Sequence, residues 1–233
     1  MASILFISGA GLSAQSGIRT FRDSDGLWEE YDVMEVCSTE GFAKDRQKVL
    51  DFYDARRHDL ADKLPNEAHF MMARLKACYG DEIAMLTQNV DDLLERAGCK
   101  DVVHLHGTLT ELRCEVCGTV FPIGYASQKG VACPTCKSTH IRHNVVMFGE
   151  AAPMYEILNY EANHAKLLVC VGTSGQVINI AWIAQWYEYS ILNNLDPDPA
   201  IDSFFKICYH EKATDAAAKI EQACHLFMHK QML

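Results

Sequence analysis

Apolar positions along the chain fall into short blocks that alternate with stretches at helical spacing. Residues 3–8, Ile83–Thr87, Val102–Leu105, Ala165–Val171, Ile191–Leu195 and Phe204–Cys208 read as buried strands, with Val145–Phe148 as a further extended segment. Between them, Asp45–Leu64 carries Val49, Leu50, Phe52, Tyr53, Leu60 and Leu64 at spacings of three and four, the mark of an amphipathic helix. A second helix is predicted over residues 67–78, with Asn66 placed to cap it. Leu93–Ala97 is a short helix stopped by Gly98. A helix over 180–190 is expected to bury Trp182, Ile183, Trp186 and Tyr189, and Lys212–His229 closes the chain as an amphipathic helix. Residues 29–44 read as a polar connection. Residues 108–145 are turn-rich and weakly periodic and read as an inserted module. Strands alternating with helices predict an α/β fold on a doubly wound parallel sheet.

This pattern places polar clusters directly after strands: Gly9–Ser13, Gln88–Asp91, His106, Gly172–Ser174 and Asn193-Asn194. In an open parallel sheet, ligands bind in the crevice outside the carboxyl ends of the strands. At the first of these ends the strand breaks into Gly9-Ala10-Gly11 and is expected to open a helix, an arrangement suited to phosphate. Ala14 stands where a dinucleotide fingerprint has its third glycine, and Ser16-Gly17 adds a second small pair. Gly9-Ala10-Gly11 alone equally suits a tight turn, but Arg22 and Asp23 serve no packing need of such a turn. A histidine at a strand end, such as His106, is commonly a satisfied polar group. Its ordinary pKa near 6.5 also suits a general base. His104 shares the strand face by period two, lies deeper, and is read as structural. Asn89 and Asp91 fit a polar turn with a helix cap as well as a binding site.

Composition narrows the partners. The 233 residues are 49% hydrophobic and 22% charged, with a net charge of −10, which disfavours nucleic acid and is compatible with a lysine-bearing polypeptide. No stretch approaches the roughly 20 apolar residues of a membrane span. A strand begins within three residues of Met1, so no leader segment is expected. Cys114-x2-Cys117 and Cys133-x2-Cys136 lie fifteen residues apart, a spacing suited to one tetrahedral, closed and therefore structural zinc site. Redox C-x-x-C pairs open helices, whereas Gly118 and Pro134 suit turns. Cys37, Cys78, Cys99, Cys170, Cys208 and Cys224 are scattered, which points to a reducing, cytoplasmic compartment.

Taken together, the motifs resemble the sirtuin family. The carriers are Gly9-Ala10-Gly11-x-Ser13-x-x-Ser16-Gly17-Ile18-x-x-Phe21-Arg22, Thr87-Gln88-Asn89-Val90-Asp91, His106-Gly107, Phe148-Gly149-Glu150 and Gly172-Thr173-Ser174. The likeness runs from about residue 4 to about residue 215. It implies a large Rossmann-like part (about 1–28, 81–107 and 146–233) and a small part made of a helical insertion (29–80) and a zinc ribbon (108–145). It implies NAD as a consumed co-substrate and acyl-lysine proteins or peptides as substrates, giving nicotinamide and O-acyl-ADP-ribose. Protein ADP-ribosylation or NAD hydrolysis at the same site is the alternative activity, and an interaction module built on the zinc ribbon is a third. By the same resemblance His106 is the general base, with Asn89 and Asp91 beside it. Gly9, Ala10, Gly11, Ser13, Gly17, Ile18, Phe21, Arg22, Asp23, Trp28, Gln88, Val90, Gly172, Thr173, Ser174, Asn194 and Ala213 join those two in the cofactor set. Asn193 rivals Asn194. Val146, Phe148, Gly149 and Glu150 belong to the loop that pairs with substrate. The likeness says nothing of oligomeric state; a monomer is one option.

Tyr53 and Arg56 stand three apart on a predicted helix and share a face. On an arbitrary helix they are a half-buried tyrosine and a solvated arginine. At this place in the family, Tyr-x-x-Arg resembles the class III subgroup, which removes succinyl, malonyl or glutaryl groups. Guanidinium and hydroxyl would then hold the distal carboxylate. The chain departs from the family pattern at Val177–Ala181, where a proline-alanine pair is usual. It departs again at His143, in place of a proline, and at Met147, in place of a bulky aromatic.

Overall fold

The computed structural model describes residues 2–19, 27–28 and 31–231, those at 27, 28, 31 and 231 by backbone alone. In chain order the elements are β1 (Ile4–Ser8), β2 (Leu27–Trp28), β3 (Tyr31–Asp32), α1 (Val33–Val36), α2 (Thr39–Lys44), α3 (Arg46–Leu60), α4 (Glu67–Tyr79), β4 (Ile83–Thr87), α5 (Leu93–Arg96), β5 (Val102–His104), β6 (Gly107–Cys114), β7 (Val120–Pro122), β8 (Ile141–Val145), α6 (Tyr155–His164), β9 (Leu167–Val171), α7 (Ile180–Ala184), β10 (Tyr189–Asn194), α8 (Pro199–Asp202), β11 (Ile207–His210) and α9 (Ala213–Gln231).

Six of the strands form one sheet in the order β11-β10-β9-β1-β4-β5, and every neighbouring pair is parallel. Side chains alternate faces along a strand. Ile4 and Phe6 accordingly join Met71, Met72 and Leu75 of α4 and Ala217 and Ile220 of α9. Leu5 and Ile7 point the other way, to Leu158 of α6 and Ile180 and Ala184 of α7. Helices on both faces make this the expected doubly wound α/β fold. The chain builds outward from β1 to β4 and β5, then returns to β9 on the other side of β1. The strand order therefore reverses at β1, and a crevice opens at the carboxyl ends of β1, β4 and β9.

Several elements differ from expectation. Residues 29–44 hold two short helices, capped by the Asp32 carboxylate accepting from Met34 N–H and the Ser38 hydroxyl accepting from Gly41 N–H. A Cβ on Gly41 would lie 2.1 Å from the Glu35 carbonyl oxygen, so glycine is what lets α2 pack against α1. The α3 helix stops at Leu60, short of Leu64, which is exposed and which Pro65 disfavours from helical geometry. The helix expected over 180–190 ends at Ala184. Trp182 and Trp186 are 61% and 74% exposed, and Tyr189 opens β10 against Leu167. Sheet pairing overrides the helical spacing there, and Ile180, Ala184 and Tyr187 are the residues that turn inward. The last strand starts at Ile207 rather than Phe204, since Phe205 is drawn into the core beneath the sheet. The extended segment expected at Val145–Phe148 is preceded by β8, which ends at Val145. The α6 helix occupies a stretch with no assigned element.

Residues 107–145 form a three-stranded antiparallel sheet, β7-β6-β8. Its inner face packs with α1–α3 in a separate cluster containing Val36, Val49, Phe52, Tyr53, Leu109, Val145 and Met147. The buried Arg57 side chain ties α3 to β6, donating from Nε to the Leu109 carbonyl at 2.6 Å and pairing with Asp54. Among the described residues no helix is long and apolar enough to cross a membrane.

Candidate active site

The loop after β1 does not open an α-helix. It makes two successive 3-10 turns, Ala10–Leu12 and Ala14–Ser16, and Gly17 ends them in the left-handed region at φ 81°. Glycine is needed here for contact with the loop after β9. Gly9 N–H donates to the Val171 carbonyl at 3.0 Å and Gly11 N–H to the Gly172 carbonyl at 2.9 Å. A Cβ on Gly11 would stand 2.6 Å from Gly172 Cα. Gly9, Gly11 and Gly172 thus join the two loops backbone to backbone at the switch point. Phe21, Arg22 and Asp23 lie outside the described residues, and Trp28 is described only as part of β2.

Beneath this loop lies a buried polar network. Ser13 is fully buried; its hydroxyl donates to Asp91 Oδ2 at 2.9 Å and accepts from Asn89 Nδ2 at 3.1 Å. His69 Nε2 lies 3.2 Å from the same hydroxyl. The other ring nitrogen of His69 accepts from Asn66 N–H, which fixes the proton on Nε2 and makes it the donor to Ser13. Burial lowers the His69 pKa to about 4, so the ring is neutral. Burial raises the Asp91 pKa, opposed by donors from Leu93 N–H and Ser13. The expected cap at Asn66 is present, and its amide also reaches the Leu12 carbonyl and Ser16.

The edge continues through Gln88, whose amide donates to Thr173 Oγ1 at 2.9 Å. Asn194 Nδ2 donates to the Thr173 carbonyl at 3.0 Å. Asn193 is committed elsewhere, donating to the carbonyls of Tyr209 and Glu211. Of the two side chains, that of Asn194 is therefore the one joined to the 172–174 loop, which Asn193 meets through its backbone carbonyl, accepting from Gly172 N–H at 2.8 Å. Ser174 and Val90 are partly exposed, and Ala213 is buried at the start of α9.

His106 has a defined tautomer. Its Nδ1 lies 3.1 Å from the Gln88 carbonyl, which can only accept, so Nδ1 carries the proton. Nε2 then holds the lone pair and accepts from the Tyr155 hydroxyl at 2.8 Å. Burial lowers the His106 pKa, partly offset by the bond to Gln88. His104 is the structural residue expected: Nδ1 meets the Asn89 carbonyl at 2.9 Å and Nε2 meets Glu95 Oε1 at 2.7 Å. Burial works against its charge, but Glu95 prevails and raises its pKa.

On the other side of Asp91, Arg56 lines a cavity of about 50 Å³ with Arg19, Asp59, Val90 and Asp91. Among the described residues Tyr53 does not join that lining. Tyr53 is buried, stacked on His143 with ring centroids 3.7 Å apart, and its hydroxyl sits beside Cys37. The helical spacing puts Tyr53 and Arg56 on one face, yet packing draws their polar ends apart. Val146 N–H donates to the His106 carbonyl at 2.9 Å. Phe148 donates to the Cys37 carbonyl and accepts from Thr39 N–H. Gly149, at φ +93°, clears Thr39, where a Cβ would lie 2.5 Å from Oγ1. Glu150 pairs with Arg142 at 2.5 Å and accepts from Met147 N–H. Glu150 therefore holds its own loop in shape.

The sulfurs of Cys114, Cys117, Cys133 and Cys136 lie within 4.8 Å of one another, with Cys114–Cys136 and Cys117–Cys133 at 3.6 Å. Tetrahedral zinc with bonds of about 2.3 Å places its sulfurs about 3.8 Å apart, so this donor set fits the metal. Both knuckles close on positive-φ residues, Gly118 and Lys137, whose N–H groups donate to the Cys114 and Cys133 carbonyls. None of the ten cysteines is joined in a disulfide.

The family model described as the Sir2 family matches residues 9–179. The chain belongs to the Sir2 family. It is 53% identical over 228 residues, 98% of both chains, to the NAD-dependent protein deacylase of Campylobacter jejuni (strain RM1221). A solved Sir2 homologue–NAD complex is 33% identical with a TM-score of 0.81, covering 94% of this chain and 88% of that one. A mutant Sir2 homologue in complex with 2′-O-acetyl ADP-ribose is 32% identical with a TM-score of 0.82, covering 94% and 90%. In this Sir2 chain two residues at the edge escape sequence reading, His69 and Tyr155. His69 follows a helix cap by three positions, the spacing of a capping box, and that was the available signal. Tyr155 lies 49 residues from His106 in an unassigned stretch, and nothing local points to it.

Proposed function

We propose that this Sir2-family chain is an NAD-dependent protein-lysine deacylase that removes acetyl groups and, through Arg56, acidic acyl groups such as succinyl and malonyl. NAD supplies the ribose carbon that accepts the acyl oxygen as nicotinamide leaves. The observation that carries the reading is His106: a neutral imidazole at the sheet's carboxyl edge with its lone pair on Nε2, two strands from the glycine cradle. It takes the proton of a ribose hydroxyl as general base. Asn89 and Asp91, fixed through Ser13, line the nicotinamide side. Gly9, Ala10, Gly11, Gly172, Thr173, Ser174 and Asn194 hold the diphosphate and adenosine end, where an added Cβ at Gly9, Gly11 or Gly172 would force the two loops apart. Tyr53 and Arg56 set the acyl pocket. Arg56 beside Val90 and Asp91 supports this for the guanidinium; the Tyr53 hydroxyl would have to leave Cys37. The N–H groups of Val146, Met147, Phe148 and Glu150 and the carbonyls of Met147 and Phe148 are taken, so an added substrate strand pairs through Gly149 and the carbonyls of Val146 and Glu150.

We further take residues 1–28, 81–107 and 146–233 as the large part and 29–80 with 108–145 as the small part, supported by the separate apolar cluster of the latter. Thiol usage supports a cytoplasmic setting. The test is a panel of acetyl-, succinyl-, malonyl- and glutaryl-lysine peptides with NAD, followed by mass spectrometry. Acyl loss with equimolar nicotinamide is expected. ADP-ribose on the peptide would instead favour transfer to protein, and NAD loss without peptide would favour hydrolysis.

A further inference from the structure

A second cluster of metal-ligating side chains lies at the free edge of the main sheet, away from the four cysteines. Cys208 and His210 alternate by two on β11 and so share a face. Asp202, the last residue of α8, comes up against that face. One donor atom from each residue lies within 4.8 Å of the other two, and His210 Nε2 is 3.2 Å from Asp202 Oδ2. Asp198 N–H donates to the same carboxylate at 3.0 Å and holds it in place. Asp202 Oδ1 is buried, and among the described residues nothing donates to it.

A simple aspartate–histidine ion pair accounts for only part of this. It needs no thiol, although the Cys208 thiol can donate to the Asp202 carbonyl at 3.6 Å, and it provides no partner for the second carboxylate oxygen, which is buried. A tetrahedral zinc ion bonded to nitrogen and oxygen at about 2.0–2.1 Å sets those two atoms about 3.3 Å apart. The observed separation of 3.2 Å between His210 Nε2 and Asp202 Oδ2 matches that span, and an ion bound to this carboxylate also stands beside its unpartnered Oδ1. The donor set also selects the metal. One thiolate, one imidazole and one carboxylate suit zinc and its transition-metal neighbours, while magnesium and calcium prefer all-oxygen shells.

We infer that Asp202, Cys208 and His210 form a second metal site for a divalent transition ion of the zinc class, separate from the four-cysteine site. Three protein ligands leave a fourth coordination position for water. Binding forms a sulfur–metal bond as the Cys208 thiol proton passes to solvent, and the ion clips α8 to the edge strand. His210 pairs in register with Asn194, so the clip adjoins the adenosine end of the proposed cofactor site.

The test is equilibrium dialysis of the full chain against micromolar zinc chloride, with metal counted by elemental analysis. Two zinc ions per chain are expected for the unaltered protein, and one each for Cys208→Ser and His210→Ala. The ion kept by the four cysteines reports that each variant is folded. A cobalt(II) titration of protein already holding one zinc should add a thiolate-to-cobalt charge-transfer band, absent in Cys208→Ser. One zinc per chain in the unaltered protein, or two in either variant, would overturn the inference.

Discussion

Polar side chains at the carboxyl edge of the sheet are tied to one another, whereas those on α3 are tied to their packing neighbours. Ser13, Asp91, Asn89 and His69 close a network around one buried hydroxyl. Gln88, Thr173 and Asn194 continue it to the next strands. By contrast, Tyr53 stacks on His143 and turns its hydroxyl toward Cys37, while Arg56 faces a small cavity. The edge is held before any ligand arrives, which favours reactions requiring fixed geometry. The polar ends of α3 answer to local packing, so a change there need not disturb the edge. One region should then set the chemistry, and the other the choice of acyl group.

His106→Ala tests the first half of that division and carries the largest expected effect. Turnover of acetyl- and succinyl-peptide should both fall by on the order of 10³, the usual size of a lost general base, with little change in Tm. Nicotinamide release against both peptides measures it. A loss confined to one peptide would place His106 with specificity and break the comparison.

The network also makes a prediction in pH. His69 has a folded-state pKa of about 4 against an ordinary 6.5, so the unfolded chain takes up its proton first on acidification. The contribution is whole above pH 6.5 and is lost as pH falls toward 4, by about 3 kcal/mol at most. Asp91 acts in the opposite sense, since its pKa is raised, but it is common to both proteins in a comparison with His69→Gln. Stability of the unaltered chain should fall more steeply than that of His69→Gln between pH 6.5 and 4.5. Parallel curves in urea denaturation would remove His69 from the account.

Arg56→Met addresses α3. A guanidinium holding a carboxylate contributes roughly 1.5–3 kcal/mol, so succinyl-peptide kcat/KM should fall about 10- to 100-fold while acetyl-peptide turnover holds. An equal loss on both peptides would mean that α3 also serves the chemistry.

Legibility followed the same line between regions. The unbroken apolar run Ile4–Ile7, and the polar clusters that follow it and four other strands, were sufficient to place a buried parallel sheet and its carboxyl edge, because a strand covered on both faces is apolar throughout and parallel strands end on one side. What escaped depended on distant partners. Trp182 and Trp186 carry a helical spacing, yet the pairing of Tyr189 with Leu167 ends the helix and leaves them exposed. The Gly9–Gly11 stretch was legible as a close approach but not as an approach to Gly172, 161 residues further on from Gly11, because no local pattern records the loop it meets. Tyr53 and Arg56 were legible as a shared helix face, while the pull of Cys37 and His143 on Tyr53 was not.

The smallest predicted effect joins the edge to a helix outside it. The Tyr155 hydroxyl donates to His106 Nε2, the atom that must take the proton. A donor on that lone pair favours the neutral ring and so adds to the lowering by burial. Removing it in Tyr155→Phe should raise the His106 pKa and move the acid limb of kcat/KM upward by about half to one pH unit, the worth of one hydrogen bond. Activity should therefore drop several-fold near the limb and stay level at pH 8, where the ring is neutral in both proteins. A uniform fall at every pH would instead make Tyr155 a support for the shape of the site. An unmoved limb with full activity would mean that the hydroxyl leaves Nε2 before the proton moves, and His106 would then answer to its backbone partner at Gln88 alone.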